Sequence, residues 1–258
     1  MPIEKQFISF YTIIRKGSVR IVRIWSQTLL PSVVTSILYF AVFGSILGSR
    51  IGELDGVPYI LFVVPGLIML SVITNAYTET ATTFFQSKFF SRNIDEILVS
   101  PTPPRIIVAG FVANGVLRGV LVGALVLVVS LFFALPSVAH PLVVLLFLVL
   151  SSTIFALAGL VNGIYAKSFD AITIVPTFVL TPLVYLGGVF YSISSLPAFW
   201  QQVSLLNPVL YIINGFRYGF LGTADMSLLV STSVLFALTL ALIGVNIYFL
   251  KKGLGLKQ

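Results

Sequence analysis

The chain has 258 residues, 58% of them hydrophobic and 9% charged, with a mean hydropathy of +1.08 and a net charge of +7. A soluble domain of this length carries roughly a quarter charged residues, so water is excluded as the solvent for most of this surface. Apolar runs of about 20 residues point to helical membrane spans and exclude a barrel, whose strands are shorter and alternate.

Taken in order, residues 2–25 read as an amphipathic helix lying on the membrane. Ile3, Phe7, Phe10, Ile14, Ile21 and Trp25 share one face; Lys5, Ser9, Thr12, Lys16, Arg20 and Arg23 share another, among lipid headgroups. A charged, polar start of this kind is no cleaved signal peptide. The first two spans are expected at about 26–47 and 58–78, joined by a short outer loop. Pro31 lies near the start of the first, where proline is tolerated.

Residues 87–105, SKFFSRNIDEILVSPTPPR, are the substantial charged interruption. Asn93 is an expected N-cap, and Asp95 and Glu96 would occupy the first turn, where negative charge suits the helix dipole. Ile94, Ile97 and Leu98 give a short helix one apolar face. Pro101, Pro103 and Pro104 then stop it.

The third apolar run, 106–135, is longer than a bilayer requires. Gly115, Gly119 and Gly123 form a ridge that lets helices approach closely. Arg118 lies inside the run and either makes a polar contact within the bundle or snorkels to headgroups. A fourth span is expected at 142–163, with Gly159 and Gly163 as a second close-packing pair. The fifth, 172–191, is interrupted by Pro176 and Pro182; Thr173, Thr177, Thr181 and Tyr185 recur at spacing four. That stripe either lines a pathway or bonds back to its own helix. Residues 192–225 are too apolar for a free loop and read as short helices dipping into the outer leaflet, with aromatics at the interface. A sixth span follows at 228–250.

With the N-terminus placed inside, twelve Lys and Arg fall on inner segments, Lys257 among them, and two, Arg50 and Arg217, on outer ones. By the positive-inside rule both termini and the 87–105 helix face the cytoplasm. The expected fold is therefore an all-α integral membrane protein. Residues 1–25 form an interfacial helix and residues 26–258 a six-span bundle without internal repeat. The net positive charge belongs to that inner face, not to a nucleic-acid surface.

Chemistry is thinly represented. No cysteine is present, and the single histidine, His140, cannot build a metal cluster or triad. No G-x-x-x-x-G-K-[ST] loop occurs to cradle nucleotide phosphates. The acidic residues form no close pair within a span; Glu79 lies near the inner end of the second, and with Arg118 it is the candidate intramembrane polar contact. These features leave no catalytic residue to name and point to transport without a built-in energy source. An ion-gradient carrier or a non-transporting anchor are the alternatives.

The stretches RIWSQTLLPSVVTSILYFAVFGSILGSRIG, FVVPGLIMLSVITNAY, RNIDEILVSPTPP and VPTFVLTPLVYLGGVFYSISSLPAFWQQVSLLNPVLYIINGFRYGFLG together resemble the permease subunits of bacterial inner-membrane type-2 ATP-binding-cassette exporters, over essentially the whole chain. The resemblance implies a homodimer of this chain above two copies of a separate ATPase subunit. That partner would bind ATP and Mg, while this chain binds no cofactor. It implies that residues 2–25 correspond to a connecting helix. Arg92, Asn93, Ile94, Asp95, Glu96, Ile97 and Leu98 correspond to a coupling helix that docks on the ATPase. It also implies a substrate path between copies, near Asn75 and Tyr77 on the second span and Thr177, Phe178, Thr181 and Tyr185 on the fifth. A drug-like amphipath is the expected cargo, with a lipid-linked glycan or other lipid as the alternative.

Overall fold

The computed structural model describes residues 2–54, 56–90 and 93–255, apart from the side chains of Ser45 and Asn93. Arg92, the cap expected from the Asn93 side chain, and Lys257 lie outside the described residues. Helix α1 (Ile3–Arg23) leads into α2 (Trp25–Ile51), whose stretch Phe40–Leu47 is wound as a π-helix. A two-residue hairpin, β1 (Glu53–Leu54) with β2 (Val57–Pro58), turns the chain into α3 (Tyr59–Phe89). Then come the short α4 (Asn93–Val99), α5 (Pro104–Ser130) and α6 (Pro141–Tyr165). The broken α7 (Phe169–Tyr185) follows, then α8 (Ala198–Ser204), α9 (Pro208–Leu221) and α10 (Leu228–Lys252).

Among the described residues, five helices are long and apolar enough to cross a membrane: α2, α3, α5, α6 and α10. The segment expected as the fifth span, 172–191, is different. Its helix stops at Tyr185, so 17 helical residues rise only about 25 Å, short of a hydrocarbon core of about 30 Å. Pro176 and Pro182 interrupt the helix, the stretch Pro176–Leu180 is π-wound, and Gly188 turns the chain at φ +83°. Phe169 packs against Phe85 and Phe90 at one end of this segment, and Phe190 stacks on Phe43 at the other.

Helix α3 is the axis of the bundle. It continues eleven residues beyond the expected end of its span, because 79–89 place Glu79, Ala81, Phe84, Phe85, Ser87 and Lys88 on buried faces. What looked like the start of a loop is therefore the last three turns of a core helix. Lys88 donates from Nζ to the carbonyls of Ile164 (3.1 Å) and Gly255, tying the C-terminal turn to the core. Thr102 Oγ1 lies 3.3 Å from Ser9 Oγ, so the N-terminal helix, α4 and the C-terminal turn share one end of the molecule.

In lipid, burial of apolar surface gives helices little reason to associate; close contact does. The glycine ridges supply it. A Cβ on Gly115 would lie 2.2 Å from Thr80 Oγ1, on Gly119 2.8 Å from Ser152 Oγ, and on Gly159 2.3 Å from the Tyr77 carbonyl. The three helices α3, α5 and α6 are thus locked by backbone contact. Helix α9 is buried along most of its length against α3, α6 and α10. Its ends are written locally: the Asn207 side chain caps it by accepting from Val209 N, Pro208 occupies its first turn, and Gly222 ends it at φ +74°.

Candidate functional site

Glu79 is fully buried on α3 and is gripped from two sides. Arg20 of α1 donates from Nη2 to its Oε1 at 2.5 Å, and Arg118 of α5 donates from Nη1 to its Oε2 at 2.7 Å. Thr83 donates to Oε1 at 3.0 Å; Arg20 also donates to Gln86 Oε1, and Arg118 to the Thr28 carbonyl. An isolated buried carboxylate would be prohibitively costly, so two guanidinium forks offset its desolvation. Arg118 therefore makes a contact inside the bundle and does not snorkel.

Arg20 was expected among lipid headgroups. It turns inward because Gly17 and Ile21, three residues before and one after it, form the buried stripe of α1. A Cβ on Gly17 would clash with the Asn114 side chain at 2.3 Å. A glycine inside an amphipathic helix was the available sign of close approach on that face. The apolar residues left uncovered on α1 include Ile3, Phe7, Val19 and Val22. Helix α1 is held along its length: Arg105 to Gln6, Thr102 to Ser9, Asn114 to the Ile13 carbonyl, and Arg20 to Glu79.

A cleft of about 390 Å³ opens between α2, α3 and α7. Asn75, Thr181 and Tyr185 line it, together with Ser32, Tyr39, Ser71, Thr74 and Arg118. Tyr39 and Tyr185 bring their hydroxyls to 3.1 Å across its mouth, and Asn75 Nδ2 donates to Ser32 Oγ at 3.0 Å. Tyr77 does not belong to this cleft. Two residues on from Asn75 it faces about 200° away, into a separate apolar cleft with Phe155, Asn162 and Leu183. Phe178 is 73% exposed on the outside of α7, and Thr177 is exposed one turn before Thr181.

The threonine stripe bonds to its own helix. Thr173 donates to the Asp170 carbonyl, Thr177 to that of Thr173 and Thr181 to that of Pro176. Thr35 and Thr74 do the same on α2 and α3. The donors of Thr35, Thr74 and Thr181 are spent, so these three hydroxyls offer the cleft acceptor lone pairs.

Helix α4 is amphipathic in fact. Ile94 is 1% exposed and packs with Phe84, Ile107 and Phe111, while Ile97 and Leu98 are half-buried beside it. Asp95 and Glu96 point outward with Val99, which is 88% exposed. The residues expected to form one docking surface thus divide into an anchor and an acidic outer face. Val99, unremarked in the sequence, extends that face. The lone histidine, His140, stacks on Tyr218 at 4.9 Å.

A family model described as ABC-2 type transporter matches residues 8–221. The inner membrane transport permease YadH of Escherichia coli (strain K12) is 53% identical over 239 residues, covering 93% of each chain. Nodulation protein J of Rhizobium leguminosarum bv. viciae is 27% identical over 212 residues, covering 77% of this chain and 78% of its own.

Proposed function

The chain belongs to the ABC-2 type transporter family, and from that membership we propose that it forms the membrane half of an ATP-driven exporter. It is a multi-pass membrane permease, not an enzyme, and its family works with an ATP-binding-cassette ATPase. In our reading two copies of the chain pair above two ATPase subunits. ATP and Mg reside in those subunits and none in this chain, and both termini face the cytoplasm.

The observation that carries the mechanism is the division of α4. A helix whose apolar side is anchored in the core and whose acidic side is free can pass a push into the bundle without unfolding. ATP binding would move α4; α1, tied to the loop after α4 and to Glu79, would move with it. The cleft between α2, α3 and α7 would then open to the other side. Such a stroke works only if the ATPase contacts the two states differently. Asn75, Thr181 and Tyr185 stand on the proposed path, with Thr177 and Phe178 beside it on α7.

The proposed cargo is a hydrophobic or amphipathic, drug-like molecule. A second reading has support from the cleft itself: the acceptor lone pairs of Thr35, Thr74 and Thr181 suit a ligand that brings donors, such as the glycan of a lipid-linked saccharide. Proton coupling is disfavoured, because Glu79, the buried carboxylate among the described residues, is engaged by two arginines.

The test is Asp95→Ala with Glu96→Ala in the complex reconstituted with its ATPase. Substrate-stimulated ATP hydrolysis and transport are expected to fall together while the permease folds normally. Unchanged coupling overturns the assignment of α4. Transport by the permease alone overturns the exporter reading.

A further inference from the structure

A second cleft, also of about 390 Å³, lies between α1, α3, α5 and the start of α7, at the end of the bundle that carries α4. Its walls are chiefly apolar, with Ile13, Phe111 and Ile97 inside and Phe90 and Phe169 at the rim. One side is polar and cationic: Lys16 is exposed on α1, and Arg20 retains 29% of its side-chain exposure despite its pairing with Glu79. Lys16 and Arg20 are the charged side chains that line the cleft.

Two further atoms on this wall lack partners. Arg20 Nε, a donor, and Asn114 Oδ1, an acceptor, are both buried without a hydrogen bond, and Asn114 as a whole is 2% exposed. Buried polar atoms are rarely left so, because each costs about 1–3 kcal/mol. Both are closed to solvent in this conformation, so a group that enters the cleft would meet them only where the side chains turn toward it.

An apolar slot capped by cations, and by one donor and one acceptor, has a chemical complement. It is an amphipath with an anionic oxygen cluster, a hydrogen-bond donor near it, and an acyl chain. The height of the cleft fits this source. Its wall, α1, leaves Ile3, Phe7, Val19 and Val22 uncovered, the pattern of a helix lying in a membrane interface. We propose that this cleft binds one phospholipid of the adjoining leaflet, with its phosphate on Lys16 and Arg20 and a headgroup hydroxyl or amine on Asn114. The acyl chain runs between Phe111 and the Phe90–Phe169 rim. Because Ile97 of α4 forms part of the same wall, the bound lipid braces the short helix against α1. This inference needs only that the chain is a membrane protein, and it stands or falls apart from the export reading.

The experiment is native mass spectrometry of the full chain released from nanodiscs of phosphatidylglycerol, phosphatidylcholine or phosphatidylcholine doped with diacylglycerol. Lys16→Glu is compared with Arg15→Glu, an exposed neighbour on α1 that does not line the cleft. One retained phosphatidylglycerol per chain is expected, reduced at least five-fold by Lys16→Glu and less than two-fold by Arg15→Glu. Diacylglycerol, lacking phosphate, is expected not to be retained. Equal losses in the two variants would mean diffuse attraction to an anionic surface and overturn the proposal, as would equal retention of diacylglycerol. Displacement of the lipid by millimolar glycerol phosphate would reassign the site to a soluble phosphate ester and likewise overturn it. Should Lys16→Glu fold poorly, Phe111→Trp, which narrows the slot, supplies the second variant and is expected to lower retention to a similar degree.

Discussion

Replacing Glu79 with Gln removes one charge and keeps the shape of the side chain. In the native protein both carboxylate oxygens are engaged, at 2.5 and 2.7 Å, by guanidinium groups 29% and 14% exposed. The amide leaves both cations without a counter-charge in a site closed to water. Breaking a buried ion pair costs about 3–5 kcal/mol. Arg20, the more exposed cation, recovers part of its hydration, so the lower end, about 3 kcal/mol, is expected. For a chain of this size that corresponds to a fall in Tm of about 6–12 °C. Thermal unfolding in nanodiscs, followed by tryptophan fluorescence or retention on size exclusion, reads it. A companion variant separates charge from packing: Arg20→Met, Glu79→Leu and Arg118→Met together remove every charge of the cluster. It should unfold within about 1 kcal/mol of the native protein or above it, since apolar replacement of a buried ion cluster is often neutral or stabilising. A loss of under 2 °C for Glu79→Gln would refute the account. So would a triple variant less stable than the single one.

Other substitutions probe the remaining contacts. Gly215→Ala would place a Cβ 2.0 Å from the Phe147 ring, and overpacking of this kind costs about 1–3 kcal/mol. Adding Phe147→Leu should recover at least about 1 kcal/mol in a double-mutant cycle of Tm-derived stabilities. Val99→Asp, on an 88% exposed residue, should change stability by less than about 0.5 kcal/mol yet weaken association with the ATPase about ten-fold in a pull-down titration. Ile94→Asp, by contrast, places a charge at a 1% exposed position and should prevent accumulation of folded protein in membranes. Tyr39→Phe and Tyr185→Phe each remove one hydroxyl of a 3.1 Å pair and should cost less than about 1 kcal/mol of stability. If their cleft is the substrate path, reconstituted transport falls by half or more; unchanged transport by both would remove that cleft from the path.

The local features of the chain were legible without a fold. Low charge and long apolar runs dictate a helical membrane protein, and the spans at 26–47, 142–163 and 228–250 fall within a few residues of α2, α6 and α10. The short helix after Asn93 and its apolar stripe follow from periodicity and three prolines. Other boundaries were misplaced where hydropathy and packing part company. Residues 79–89 are polar enough to pass for a loop, yet they are helical because their polar atoms find partners inside the bundle. The expected fifth span is mostly apolar, yet its helix ends at Tyr185, since proline, π-winding and a glycine turn break the hydrogen-bond ladder.

Solvent preference belongs to the sequence because it is additive: each residue brings its own transfer free energy, and a window of about 20 sums them. Contact between distant residues is not additive. Arg20, Glu79 and Arg118 lie 59 and 39 residues apart and meet only because three helices take a particular rotation and register. The same rotation sends Asn75 and Tyr77 into different clefts, and it decides which side of α4 is buried and which is exposed. Glycine contacts at Gly17, Gly115 and Gly159 fix those rotations. A glycine in the sequence announces that something comes close, but the partner that comes close is settled only by the packed bundle.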